Sequence, residues 1–166
     1  MLDEGKIYVV IKEWLKAQGW SIVGGEPPGG TNAVPRIEIK APHYAGRGSK
    51  GSKKIDMIGF KKGYFLLIEI KPRQSSSDAK KLREVVSRKE LRIAFIRALL
   101  EKRVLPSAAL EIESYVESSK YLVKSQAFSV PLISPADDFI FFIVSSSGVI
   151  CRFGSSISDY VRSLFP

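Results

Sequence analysis

"IDMIGFKKGYFLLIEIK", residues 55–71, is the stretch on which the fold turns. Two apolar runs flank a Lys-Lys-Gly turn, the pattern of a β-hairpin. In the second run Tyr64, Leu66, Ile68 and Ile70 share one face, while Phe65 and Leu67 begin the other. A strand apolar on both faces belongs near the middle of a sheet covered on both sides. Glu69 and Lys71 interrupt the second face at the strand's end. Charges buried on a strand are unfavourable unless paired or bound to a metal, so their position asks for a chemical reason.

Asp56 supplies one, depending on register. A two-residue turn at Lys62 and Gly63 sets Lys61 across from Tyr64 and Asp56 across from Glu69, on the same face. A three-residue turn beginning at Lys61 pairs Asp56 with Ile68 and sends the carboxylates to opposite faces. Lys before Gly is not the preferred Asn or Asp, so the sequence leaves both registers open. In the first, two facing carboxylates repel unless a cation lies between them. A divalent ion there, with Lys71 two residues along to orient or activate a water, is the equipment for hydrolysing a phosphodiester.

The tetrapeptide "IEIK" also occurs at 37–40. There it continues the alternation of 36–40, with Arg36, Glu38 and Lys40 on one side and Ile37 and Ile39 on the other. A half-exposed strand with a wet face accounts for that copy completely.

Working outward, 2–20 predicts an amphipathic helix on Leu2, Ile7, Val10, Ile11, Trp14 and Leu15, stopped at Gly19. Trp14 and Trp20 fit a core role better than base stacking. A Gly/Pro-rich loop follows, then the strand at 36–40, then a mobile cationic loop through 54 that contains His43, read as a solvated histidine. After the hairpin, Ser75–Ser77 offers an N-cap for a long helical run to 103, with a break expected near 87–90. A weaker helix at 107–119, three strands at 121–130, 139–147 and 148–153, and a short closing helix complete the chain. Asp137 and Asp138 read as a turn before a strand. The whole predicts a single α/β domain over 1–166, a mixed sheet flanked by helices, with a core at 1–105 and a C-terminal extension of strands and a helix at 106–166.

The chain has 166 residues, 45% of them apolar, enough for one buried core. One cysteine, Cys151, and one histidine exclude a zinc or iron–sulfur centre built from those side chains. A metal would rest on carboxylates, which suits Mg2+ or Mn2+. No apolar run is long enough for a membrane span and no basic, apolar leader opens the chain, so an intracellular, cytoplasmic protein is expected. Its net charge of +9 favours a polyanionic partner. Arg47, Lys50, Lys53 and Lys54 before the hairpin, and Arg73, Lys80, Lys81 and Arg83 after it, are the cations expected to face phosphates.

Asp56, twelve intervening residues, then "EIK" resembles the PD-(D/E)xK nuclease superfamily, with Ile55 where the motif has proline. The opening helix "EGKIYVVIKEWLKAQGW" is similar to that of VRR-NUC domains and archaeal Holliday junction resolvases. The resemblance implies a restriction-endonuclease-like αβββαβ core. It further implies a Mg2+- or Mn2+-dependent endonuclease acting on DNA, of restriction or structure-specific (Holliday junction) type, without a nucleotide cofactor. Asp56, Glu69, the Ile70 carbonyl and Glu4 (Glu13 second) would hold the metal, and Lys71 would serve the attacking water. A homodimer is expected, so that both strands are cut. The alternative is a catalytically inactive nucleic-acid-binding module of the same fold.

Overall fold

The computed structural model describes residues 1–30, 34–40 and 52–166. Helix α1 (Glu4–Ala17) begins at Asp3, whose side chain accepts from the Lys6 N–H, and ends before Gly19, whose φ of 87° suits only glycine without strain. Strands β1 (Ser21–Gly24), β4 (Met57–Lys61), β5 (Tyr64–Ile70), β6 (Leu122–Phe128), β7 (Phe139–Ser145) and β8 (Gly148–Phe153) form one mixed sheet in the order β1-β4-β5-β6-β7-β8. The pairs β1–β4, β4–β5 and β7–β8 are antiparallel, and β5–β6 and β6–β7 are parallel. Between β5 and β6 the chain makes helices α2 (Ser76–Ser87), α3 (Lys89–Glu101) and α4 (Ile112–Glu117), and α5 (Asp159–Arg162) closes it.

The two faces expected of β5 are the two faces of the sheet. Leu66, Ile68 and Ile70 pack with Ile7, Ile11 and Leu15 of α1 and with Val161, Leu164 and Phe165. Phe65 and Leu67 pack with Leu82, Val85, Phe95 and Leu99 of α2 and α3. Three layers result, with β5 central and Phe65, Leu66, Leu67 and Ile68 fully buried. Trp20 is buried and stacks on Phe165, a core role. No helix among the described residues is long and apolar enough to cross a membrane.

Several parts of the sequence reading change. Residues 38–40 form a strand, β2 (Glu38–Lys40), but it pairs with β3 (Ser52–Lys54) in a separate two-stranded sheet rather than joining the main one. Ile37 and Ile39 still point into the α2–α3 core, so the alternation held while the partner differed. The place beside β4 is taken by β1, whose four residues merge in sequence with the glycines that follow. Residues 52–54, expected to be loop, pair with β2.

The break between α2 and α3 falls at Arg88. Arg92, 7% exposed, holds it by donating to the carbonyls of Val86, Ser87, Tyr115 and Val116. Helix ends leave carbonyls without partners, and this guanidinium satisfies those of α2 and α4 together.

Candidate active site

The hairpin turn decides the register. Lys62 (φ 48°) and Gly63 (φ 85°) both adopt positive φ, the mark of a two-residue turn, and Met57 pairs with Ile68. One step past that ladder, Asp56 comes across from Glu69. The Asp56 side chain continues the ladder where backbone pairing stops: its Oδ2 accepts the Ile70 N–H at 2.7 Å. On a strand the N–H and C=O of one residue point to the same edge, so the Ile70 carbonyl also faces the Asp56 side.

Gly25 sets the height of Asp56. Its φ is 144°, and a Cβ there would meet the Asp56 carbonyl oxygen at 2.4 Å. The next residue, Glu26, donates its N–H to the carbonyls of Ile55 and Asp56, fastening the segment before β4 to the end of β1. The site thus lies at the C-terminal mouth of the parallel pair β5–β6, where α/β sheets open a crevice. A narrow cleft there, closed too tightly to admit a water molecule, is lined by Glu69, Lys71, Arg73, Ser75, Asp78 and Gln126 among others.

Glu69 is 2% exposed. Its Oε2 accepts from Lys81 Nζ at 2.8 Å, while its Oε1 is buried with no partner among the described residues. Burial, and then the neighbouring Asp56 charge, push its carboxyl up to about 8, with Lys81 offsetting only part of the rise. Asp56 is also raised, chiefly by burial, against the Ile70 N–H and the Lys71 and Lys81 charges. Lys71 loses some of its ammonium's stability to burial, but Asp56, Glu4 and Asp78 outweigh this and hold its pKa above the ordinary value.

Glu4 reaches the site through Lys71, its Oε1 lying 3.4 Å from Nζ. Glu13 does not; it pairs with Lys16 on the outer face of α1. Among the described residues no three Asp, Glu, His or Cys side chains converge closely enough to hold an ion by themselves. Two carboxylates and a backbone carbonyl are what the geometry offers.

The expected phosphate contacts fare unevenly. Arg47 and Lys50, like His43, lie outside the described residues. Lys53 pairs with Glu84 at 2.8 Å and Lys54 with Glu26 at 3.3 Å, so each is already engaged with a carboxylate. Arg83 grips Asp138 with two bonds away from the cleft. Arg73 is exposed and lines the cleft, and Lys80 is exposed on α2. Lys81, expected to face phosphates, pairs with the buried Glu69.

Two residues join that the sequence reading did not place there. Gln126, 3% exposed, stands beside Glu69 on β6 and donates to the Ser75 carbonyl at 2.5 Å, docking the start of α2 onto the sheet. Asp78, in the first turn of α2, has a buried Oδ2 with no partner. Its helical spacing to Leu82 and Val85 marks an inward face and was a usable signal. Gln126 gave none until the β5–β6 register was known. Comparison with protein-family models, curated proteins and solved structures finds no match for this chain.

Proposed function

We propose that the protein is a divalent-cation-dependent nuclease of PD-(D/E)xK type that hydrolyses phosphodiester bonds of DNA. The observation that carries this reading is the buried Glu69, with one oxygen unpartnered, set across from Asp56 and two residues before Lys71. The order α1-β1-β4-β5-α2-β6, with β5 and β6 parallel, supports the restriction-endonuclease-like core that the motif implies.

The residues fit a divalent cation. Glu4, Asp56, Glu69 and Asp78 share the cleft with Lys71, Arg73 and Lys81 among the described residues, and the orphaned Glu69 oxygen lacks a donor. Asp56, Glu69 and the Ile70 carbonyl would hold Mg2+ or Mn2+, which supplies charge neutralisation at the scissile phosphate. The Ile70 N–H fixes the Asp56 carboxylate by one oxygen. Lys71, steadied by Glu4, presents an ammonium at the mouth of the cleft, where it orients the attacking water and offsets the charge developing on the phosphate. Exposed Arg73 and Lys80 contact the DNA backbone, and a symmetric pair of chains allows both strands to be cut.

One observation favours the second reading, a binding module of the same fold: Lys81 already neutralises one oxygen of Glu69. Cleavage of duplex, single-stranded and four-way-junction DNA with Mg2+ or Mn2+ separates the two. A nuclease cuts at least one of these, loses activity in Lys71→Ala and keeps it in Lys40→Ala. Salt-sensitive binding without cutting in all three proteins selects the module.

A further inference from the structure

The inner side of the site already holds a cation, and it is a side chain. Lys81, in the second turn of α2, places its ammonium 2.8 Å from Glu69 Oε2, 2.8 Å from the Lys54 carbonyl oxygen on β3, and 3.9 Å from Asp78 Oδ1. Lys71 is held differently, on the α1 side by Glu4. Of the two Glu69 oxygens, one is satisfied by the Lys81 ammonium and the other by nothing among the described residues. A buried carboxylate oxygen left bare points to an occupant that the side chains do not supply.

Resting on the reading of Asp56 and Glu69 as a divalent-cation site, we infer that Lys81 is the internal counter-ion of that site and leaves Glu69 when the cation enters. A divalent ion and an ammonium on one carboxylate would repel each other across a single side chain. Glu69 is 2% exposed, so little water is present to screen them. Lys81 is the partner free to move. Its side chain is 26% exposed, giving it a way to solvent, whereas Glu69 is fixed on the central strand. Its departure also breaks the bond to the Lys54 carbonyl, one of the ties between α2 and β3, and leaves the Lys53–Glu84 pair in place. Lys81 is thus a positioning residue: it keeps the acids in place in the empty site and competes with the ion that replaces it.

The test is Mn2+ binding by the full chain above about pH 8, where the Glu69 carboxyl is ionised, measured by titration calorimetry on wild type, Lys81→Gln, Lys81→Arg and Glu69→Gln. Competition predicts that Lys81→Gln binds Mn2+ about tenfold or more tighter than wild type, since a charge-assisted bond no longer has to be broken. Lys81→Arg should stay near wild type, and Glu69→Gln should lose binding. Equal or weaker binding by Lys81→Gln, with wild type binding normally, overturns the exchange and leaves the metal site standing. Absence of Mn2+ binding by wild type overturns the metal reading and the exchange with it. If Lys81→Gln does not fold, the wild type carries the test through the 13Cε resonance of Lys81, assigned by its absence in Lys81→Arg. That resonance should move during a Mg2+ titration along the same curve as the binding heat. A resonance unmoved at saturation overturns the inference.

Discussion

Replacing Glu69 by glutamine removes a buried charge while keeping the shape of the side chain, and the consequence for stability depends on pH. In the wild type this carboxyl titrates at about 8 rather than 4.5, because burial and Asp56 oppose its ionisation. Between those values the folded chain keeps a proton that the unfolded chain has released. Stability therefore falls as pH rises through this window, having been fully present below it. At about 1.4 kcal/mol per pH unit the fall from 4.5 to about 8 amounts to about 5 kcal/mol. A glutamine has no proton to lose, so the Glu69→Gln variant escapes this decline. For a domain of this size the difference corresponds to about 10–20 °C in Tm.

The assay is equilibrium denaturation of both proteins in chelator-treated buffer at a series of pH values from 5 to 9. Contributions common to the two proteins cancel in the difference. The variant should gain on wild type with rising pH and the gap should level off above about pH 8. Parallel profiles across the whole range would refute the reasoning, since they would mean that Glu69 ionises in the fold as freely as in the unfolded chain. Saturating Mn2+ at pH 8 should then raise the stability of wild type and leave the variant unchanged. Below about pH 8 the cation must displace a proton, so its affinity should weaken by up to about tenfold per pH unit of acidification.

Three further expectations test the frame around the site. Gly25→Ala places a Cβ against the Asp56 carbonyl, at 2.4 Å in the present geometry; it should destabilise the fold by about 2–3 kcal/mol and weaken Mn2+ binding, and unchanged affinity would show that this contact does not position Asp56. Arg92→Met strips the donor from four carbonyls at the ends of α2 and α4; denaturation should register a loss of about 3 kcal/mol, with faster amide exchange in that region. Asp138→Asn breaks the bonds to Arg83 and Lys124, which hold the Asp138 carboxyl below the usual carboxylate range. The wild type should lead this variant by about 1 kcal/mol at neutral pH, and the lead should vanish as pH falls below about 4, where stability drawn from an ionised Asp138 is lost.

The sequence made the hairpin and the two-sided burial of β5 legible because period-2 alternation is a local signal, complete within seven residues. The helices were legible for the same kind of reason, at their own period. Strands β1 and β3 were not: four and three residues carry too little pattern, and each owes its existence to a partner elsewhere in the chain. The site divides along the same line. Asp56, Glu69 and Lys71 stand on one hairpin, so the sequence set them close together, and the positive φ at both Lys62 and Gly63 selects the register that puts Asp56 and Glu69 on one face. Lys81 reads as one more cation on a basic helix until that helix is docked, by Leu82 and Val85 packing on the sheet and by Gln126 holding the Ser75 carbonyl across a parallel strand pair. Tertiary contacts of that kind leave no local trace.

The two copies of "IEIK" show how far context governs chemistry. At 37–40 the glutamate and lysine face each other, Glu38 Oε2 lying 3.9 Å from Lys40 Nζ, on a half-exposed strand of a small separate sheet. Each is the other's partner, the pair is screened by water, and it contributes little. At 68–71 the same residues find different partners: Glu69 pairs with Lys81 from α2, and Lys71 with Glu4 from α1. The strand is central, so helices cover both of its faces and each brings its own charge to the strand's end. Water cannot neutralise Glu69 there, and one of its oxygens stays bare. The difference between a wet strand and a candidate catalytic centre therefore lies outside the tetrapeptide, in whether the strand carrying it sits where two layers of helices close over it.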